Sequence, residues 1–187
     1  MLFTAEIEMK ILARAPQPLN DLAVIVIDSG LRDGEVVRMQ VQYVNFEKAF
    51  YQNPEGKTEN ARRRVPLSDR VLDRLRVRCE GRSAGWVFPS DKSKSGHIEL
   101  HKLQLRFRAI CRELGLSDEL KIYCGRHTYG TDVMEDTGNP FLVRDTMGHA
   151  DLETTNQYMH SNLARAKAAI DRRNAARMPA PVNEMKN

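Results

Sequence analysis

The chain has 187 residues, enough for one domain or a little more, and 41% of them are hydrophobic, so it can bury a sizeable core. Its formal charge of +4, from 29 Lys and Arg against 25 Asp and Glu, leans toward an anionic partner without demanding one. No apolar run approaches the roughly 20 residues that span a bilayer, no basic-then-apolar leader opens the chain, and Cys79, Cys111 and Cys124 lack C-x-x-C spacing, which together exclude a membrane-spanning or disulfide-framed class and predict a cytoplasmic protein with reduced thiols.

The first predicted helix covers 4–14, with Thr4 as its cap and Ile7, Ile11 and Leu12 along one side. Ala15-Pro16-Gln17-Pro18 breaks it. Residues 19–28 contain Ala23-Val24-Ile25-Val26-Ile27, which periodicity alone reads either as a buried helix or as a buried strand. Ser29-Gly30 closes that segment, and 31–39 form another short helix with Arg32 at its start. From 40 to 67 the character changes to strand and turn. Val44-Asn45-Phe46 leads into Ala49-Phe50-Tyr51-Gln52, Asn53-Pro54-Glu55-Gly56 has turn composition, and Arg64-Val65-Pro66-Leu67 ends the region. A small antiparallel sheet of two or three strands is expected, with Lys57 at or beside a turn. Ser68 caps a helix over 68–80 whose Val71, Leu72 and Leu75 face inward. Trp86-Val87-Phe88-Pro89 is a short buried segment, and 91–96 a polar loop.

Leu100, Leu103, Phe107, Ile110, Cys111 and Leu114 then recur at helical spacing up to Gly115, a core stripe and not a cofactor box. Arg106, Arg108 and Arg112 lie largely off that stripe, where they could meet the backbone of an anionic polymer. His97 and His101 have the i, i+4 spacing of two helical metal ligands, but no suitable third ligand stands nearby, and no metal site is predicted.

The stretch from Tyr123 to His160 carries the densest punctuation. A helix over 127–136 stops at Thr137-Gly138. A second starts at Asn139-Pro140, a capping side chain followed by proline at the first helical position, and ends at Gly148. A third starts at Asp151 and carries Tyr158 near its end. Arg126, His149 and Tyr158 therefore sit near helix ends, which can converge on one anionic ligand. Residues 163–178 read as a basic helix with a thin stripe of Leu163, Ala166 and Ile170, and 179–187 as a disordered tail.

Five blocks in this order resemble the C-terminal catalytic domain of the tyrosine recombinases, or phage integrases. Arg32 to Glu35 matches the Arg-x-x-Glu block, Lys57 the β-turn lysine, and Arg126 the arginine of the His-x-x-Arg block. Met147-Gly148-His149 matches Leu-Gly-His, and Thr154-Thr155-Asn156-Gln157-Tyr158-Met159-His160 matches Thr-Thr-x-x-Tyr-x-His. Order and spacing agree from about residue 4 to 165. Tyr123 departs from the pattern, standing where the family usually has histidine.

The resemblance favours the helix over the strand for 19–28. It implies a mostly α (α+β) catalytic domain over 1–178, helical with a small antiparallel β-sheet on one edge. It also implies that the family's N-terminal core-binding domain is absent, so that half of the DNA clamp is missing and binding is weak, salt-sensitive and little sequence-specific. The segment 163–178 resembles the one that family members pass to a neighbouring protomer; docking in trans and packing in cis both stay open. The implied partners are double-stranded DNA and further copies of the chain, a tetrameric synapse on DNA and a monomer without it, with no membrane and no cofactor.

Cutting a phosphodiester without metal needs a nucleophile, charge stabilisation, a base and an acid. On the resemblance, Tyr158 is the nucleophile, although a free phenol with pKa near 10 is only about one-thousandth ionised at neutral pH. Arg32 and Arg126 are the phosphate clamps, since a guanidinium fork fits two phosphate oxygens. Lys57 is the acid for the leaving 5′-oxygen. His149 bonds a phosphate oxygen or takes the tyrosine proton. Tyr123 can donate to phosphate but is a poor base. Glu35, His127 and His160 support the site, with Glu35 bracing the arginines or the backbone. Arg62, Arg63 and Arg64 are expected as general phosphate contacts or a solvated strand face. Two rivals remain: a type IB topoisomerase-like enzyme, disfavoured by the Thr-Thr-x-x-Tyr block and small size, and a non-catalytic DNA-binding relative, favoured by Tyr123.

Overall fold

The computed structural model describes residues 2–54, 62–159, 167 and 170–172. Its centre is α2 (Leu19–Ser29), in which Leu22, Val24, Ile25 and Val26 are fully buried. The run that periodicity left open between strand and helix is a helix whose every side is covered by neighbours. Helices α3 (Asp33–Val37), α4 (Asp69–Cys79), α5 (Leu100–Glu113) and α6 (Cys124–Thr137) all pack on it. The one charged residue buried in α2, Asp21, is paired with Arg74 at 2.9 Å and Arg78 at 2.6 Å from α4. A second link joins the same helices where Ser68 Oγ and Arg70 Nε donate to Asp28 at 2.8 and 2.9 Å.

Helix α1 (Ala5–Arg14) starts as expected, with the Thr4 hydroxyl accepting from Ile7 N. The sheet is also as expected. Strands β1 (Val44–Asn45), β2 (Phe50–Gln52) and β3 (Arg64–Pro66) pair antiparallel in that order. Tyr51 and Val65, opposite each other across β2 and β3, turn into the core. The pairing runs one step beyond the strands, where Asn53 N donates to Arg63 O at 2.9 Å. Lys57 falls between those strands, outside the described residues.

Helix α5 buries Leu103, Phe107, Ile110 and Cys111, the predicted stripe. His97 does not belong to it. It lies ahead of the helix in an isolated bridge with Pro89, so His97 and His101 do not share a helical face. The three cysteines are free and buried, and among the described residues no helix is long and apolar enough to cross a membrane.

The last third departs from expectation twice. Helix α6 begins at Cys124, three residues before the predicted 127, because Gly125 seats its first turn against Val26 and Ile27 of α2. Helix α7 (Pro140–Met147) follows the predicted signals, with the Asn139 side chain accepting from Phe141 N and Leu142 N. The third helix is a 3-10 turn, Glu153–Tyr158, entered by Asp151 Oδ1 accepting from Thr154 N at 2.9 Å. Of the predicted basic helix, residues 167 and 170–172 are described and helical, with Ile170 exposed. Leu163, Ala166, His160 and the 179–187 tail lie outside the described residues.

Candidate active site

Glu35 organises one side of the site. Placed at the third position of α3, its carboxylate accepts from Arg32 N at 2.8 Å, satisfying a helix-start donor. It also accepts from Arg32 Nη1 at 3.1 Å, from Asn53 Nδ2 at 3.2 Å, and from Arg63 Nη1 and Nη2 at 3.4 and 3.1 Å. Burial pushes its pKa up, but Arg63, through charge and hydrogen bonding, and then Arg32 outweigh this and hold the carboxyl below its ordinary range. The Arg32 side chain is 43% exposed, so one face of its guanidinium is braced and the other open.

Arg63 corrects the expectation of a solvated strand face. Its side chain is 5% exposed. Besides Glu35 it donates from Nε to the carbonyl of Thr146 at 2.7 Å. Three successive arginines next to a short strand gave no reason to single out the middle one. Strand alternation is the signal that could have done so, since Arg63 has the same parity as the inward-facing Val65. Arg62 and Arg64 are exposed; Arg64 donates to Gln52 at 3.3 Å and lies over the Phe50 ring.

Arg126, in the first turn of α6, is 1% exposed. Nη1 donates to Gly30 O and Nη2 to Met147 O at 2.8 Å, while Nε finds no partner among the described residues. Burial, with Arg32 next in effect, lowers its pKa to about 10, which leaves it cationic at neutral pH. It bridges the end of α2 and the end of α7, the two turns that carry Arg32 and His149.

Gly148 closes α7 in the left-handed region, φ 68°, and leads directly to His149. The turn also needs glycine for space, since a Cβ there would stand 2.6 Å from Arg63 Nη1. His149 is buried, with Nδ1 2.9 Å from Thr155 Oγ1. Burial first, then Arg126, Arg32 and Arg63, lower its pKa to about 4, so the ring is neutral at pH 7. Thr155, the second threonine of the Thr-Thr pair, is the positioning partner that residue types alone did not single out.

Tyr158 is 5% exposed and stacks parallel to His149, ring centroids 6.2 Å apart with 7° between planes. Its hydroxyl is 3.2 Å from His127 Nδ1. Burial raises its pKa to about 12 despite Arg126. At pH 7 only about one phenol in 10⁵ would be ionised, so any attack from this oxygen would need a proton acceptor. His127, whose pKa is lowered chiefly by burial, stands at the hydroxyl, where a ring nitrogen can accept a proton. The Tyr158 ring can enter only because α6 has Gly130 beside it; a Cβ there would lie 2.7 Å from Cζ.

Tyr123, just before α6, is 39% exposed and meets the His127 ring edge-on at 5.0 Å. It lines a cleft with Asp33, Arg108 and Lys121. Of the arginines expected at DNA backbone, Arg108 is thus beside the site. Arg106 is exposed roughly opposite on α5, two residues away, and Arg112 is exposed and paired with Asp118 at 3.3 Å. Lys57 and His160 lie outside the described residues. Among those residues, no three His, Cys, Asp or Glu side chains group as metal ligands would.

Helices delivering arginine, histidine and tyrosine to one place, beside a three-stranded sheet, define a recombinase-like architecture. A model described as the phage integrase family matches residues 5–165, and the chain belongs to that family. It is 30% identical over 162 residues to the tyrosine recombinase XerC of Erythrobacter litoralis (strain HTCC2594), covering 84% of this chain and 52% of that protein. To the tyrosine recombinase XerA of Pyrococcus furiosus it is 24% identical over 157 residues, covering 82% and 54%. Among solved structures, the Tn1549 transposon integrase in complex with a circular intermediate DNA matches with a TM-score of 0.76 at 19% identity, over 92% of this chain and 65% of that one. The XerH site-specific recombinase bound to its difH substrate matches at 0.69 and 19%, over 90% and 53%. The mostly helical fold with a small antiparallel sheet is therefore that of the tyrosine recombinases. The chain spans about half the length of the curated relatives it matches.

Proposed function

We propose that this chain is the catalytic domain of a site-specific recombinase that cuts and rejoins double-stranded DNA through a 3′-phosphotyrosyl intermediate. The observation that carries the reading is the convergence of His127, His149 and Arg126 around the Tyr158 phenol in a chain of this family. In the cleavage step the Tyr158 oxygen bonds to phosphorus and the phosphorus–O5′ bond breaks. The phenol proton passes to imidazole, and the departing 5′-oxygen takes a proton from Lys57. Rejoining reverses each transfer. The tyrosyl ester roughly conserves the energy of the phosphodiester, so neither ATP nor metal enters the scheme. Arg32 and Arg126 offset charge on the non-bridging oxygens, where losing one such donor costs about 10²–10³ in rate. Tyr123 donates to phosphate and takes no part in proton shuttling.

Double-stranded DNA as partner is supported by the family and by the DNA-bound Tn1549 and XerH structures. Exposed Arg62, Arg64 and Arg108 suit its backbone, and the resulting binding is salt-dependent. A homo-oligomer assembles on DNA from a monomer in this reading. A second reading, a DNA-binding relative without catalysis, is favoured by one observation: Arg126 is buried with both Nη groups on carbonyls.

The test is incubation with supercoiled plasmid in EDTA without ATP, quenched with detergent and probed for protein–DNA adduct. An adduct that vanishes in Tyr158→Phe supports the enzyme. An adduct that survives in Tyr158→Phe removes Tyr158 as nucleophile. Plasmid binding without adduct favours the second reading.

A further inference from the structure

Arg63 and Arg126 are the two buried arginines among the described residues, and both reach across the site: Arg126 joins its two turns through the carbonyls of Gly30 and Met147, and Arg63 joins them through the Glu35 carboxylate. On one side Arg63 holds Glu35, whose carboxylate also fixes the Arg32 backbone and guanidinium. On the other its Nε donates to Thr146 O, and its guanidinium fills the space that a Cβ on Gly148, one residue before His149, would need. Met147, between those two, supplies the carbonyl that receives Arg126. Glu35 and Thr146 are 111 positions apart in sequence, and this one planar group spans them.

We propose that Arg63 is a positioning residue of the site, a clamp that fastens the Arg32–Glu35 corner to the Thr146–His149 turn so that Arg32, Arg126 and His149 keep one geometry. The inference rests on the recombinase reading for its catalytic consequence and on the geometry alone for its structural one. A guanidinium suits the task because its fork meets Glu35 through Nη1 and Nη2 while Nε points at a separate acceptor. A lysine ammonium has no such fixed spread. The charges facing Glu35 are Arg32 at the start of its own helix, Arg63 from the β3 side and Arg126 from α6. Removing Arg63 therefore leaves a carboxylate that protonates more readily and releases Arg32 as pH falls.

The experiment compares wild type with Arg63→Lys, using amide hydrogen exchange, DNA affinity and the rate of adduct formation at saturating plasmid across pH. Faster exchange at 32–36 and 146–149, with α2 and α5 unchanged, is the expected structural result. A rate at saturation lower by about 10²-fold, the scale of a 1 Å misplacement, with affinity within about twofold, is the expected kinetic one. In Arg63→Met, which removes the charge as well as the fork, the rate should also fall off on the acid side at a higher pH than in wild type. Unchanged exchange at both segments would overturn the clamp. So would weakened affinity with an unchanged rate at saturation, which would make Arg63 a DNA contact. If Arg63→Lys does not fold, the double variant Glu35→Gln, Arg63→Met removes both buried charges and is scored in the same way. If wild type itself gives no adduct, the recombinase reading fails, and the exchange data alone decide whether Arg63 joins the two segments.

Discussion

The arginine side of the site and the tyrosine side are built differently. Glu35 accepts from Arg32, Asn53 and Arg63, and Arg126 is tied to the carbonyls of Gly30 and Met147. These groups rest on the main core around α2. Tyr158 belongs to a separate small cluster with Val143 and Met147, flanked by Tyr129, Val133 and Met134. It rides on a 3-10 turn, and among the described residues its hydroxyl meets one polar partner, His127. Groups that stabilise charge gain from being fixed beforehand, because their dipoles then need no reorganisation during reaction. In the proposed role of nucleophile, Tyr158 would gain from a mount with few contacts, which opens at low cost.

The largest effect separating the two sides is functional. Tyr158→Phe should abolish the adduct while changing folding stability by no more than about 1 kcal/mol, the worth of one hydrogen bond; a large loss in urea midpoint would mean that the tyrosine side is as structural as the other. Glu35→Ala should do the reverse to stability, lowering it by about 3–5 kcal/mol, because Arg63 is left buried beside no carboxylate. Equilibrium unfolding measures this, and a loss under about 1 kcal/mol would contradict a tightly bonded arginine side.

A pH titration sharpens the contrast. His149 is lowered to about 4 in the fold and returns to about 6.5 when unfolded. The unfolded chain thus binds more protons below pH 6.5, so His149's contribution is present above that pH and is lost as pH falls toward 4. It amounts to at most about 3 kcal/mol, and His149→Gln should flatten that part of the stability curve. The smallest effect should come from Asn139→Ala, which removes the α7 cap at a cost of about 1 kcal/mol. Hydrogen exchange should rise in the first turn of α7 and stay unchanged at 32–36 and 146–149, the two segments that Arg63 joins.

Much of this arrangement was legible in the residues. Thr4, Ser68 and Asn139 are capping side chains at the helix starts they announce, and the spacing of Leu103, Phe107 and Ile110 announces the face that α5 buries. The helical state of α2 was not legible from periodicity, because a segment apolar on all sides has no period to read. The early start of α6 depends on Gly125 meeting α2, a tertiary contact that no local pattern encodes. Within the site, Arg32, Arg126, His149 and Tyr158 stand out by motif. The burial of Arg63 and the approach of His127 to the phenol are set by partners far away in sequence, Glu35 and Tyr158.

The most direct measurement is to recover the protein–DNA adduct, digest both components and locate the nucleotide-bearing peptide by mass spectrometry. The tryptic peptide 145–165 contains a single tyrosine, Tyr158. Tyrosyl transfer predicts a nucleotide joined through its 3′-phosphate on that peptide, with fragment ions placing it on Tyr158. A nucleotide on any other residue, or one joined through its 5′-phosphate, would contradict the account.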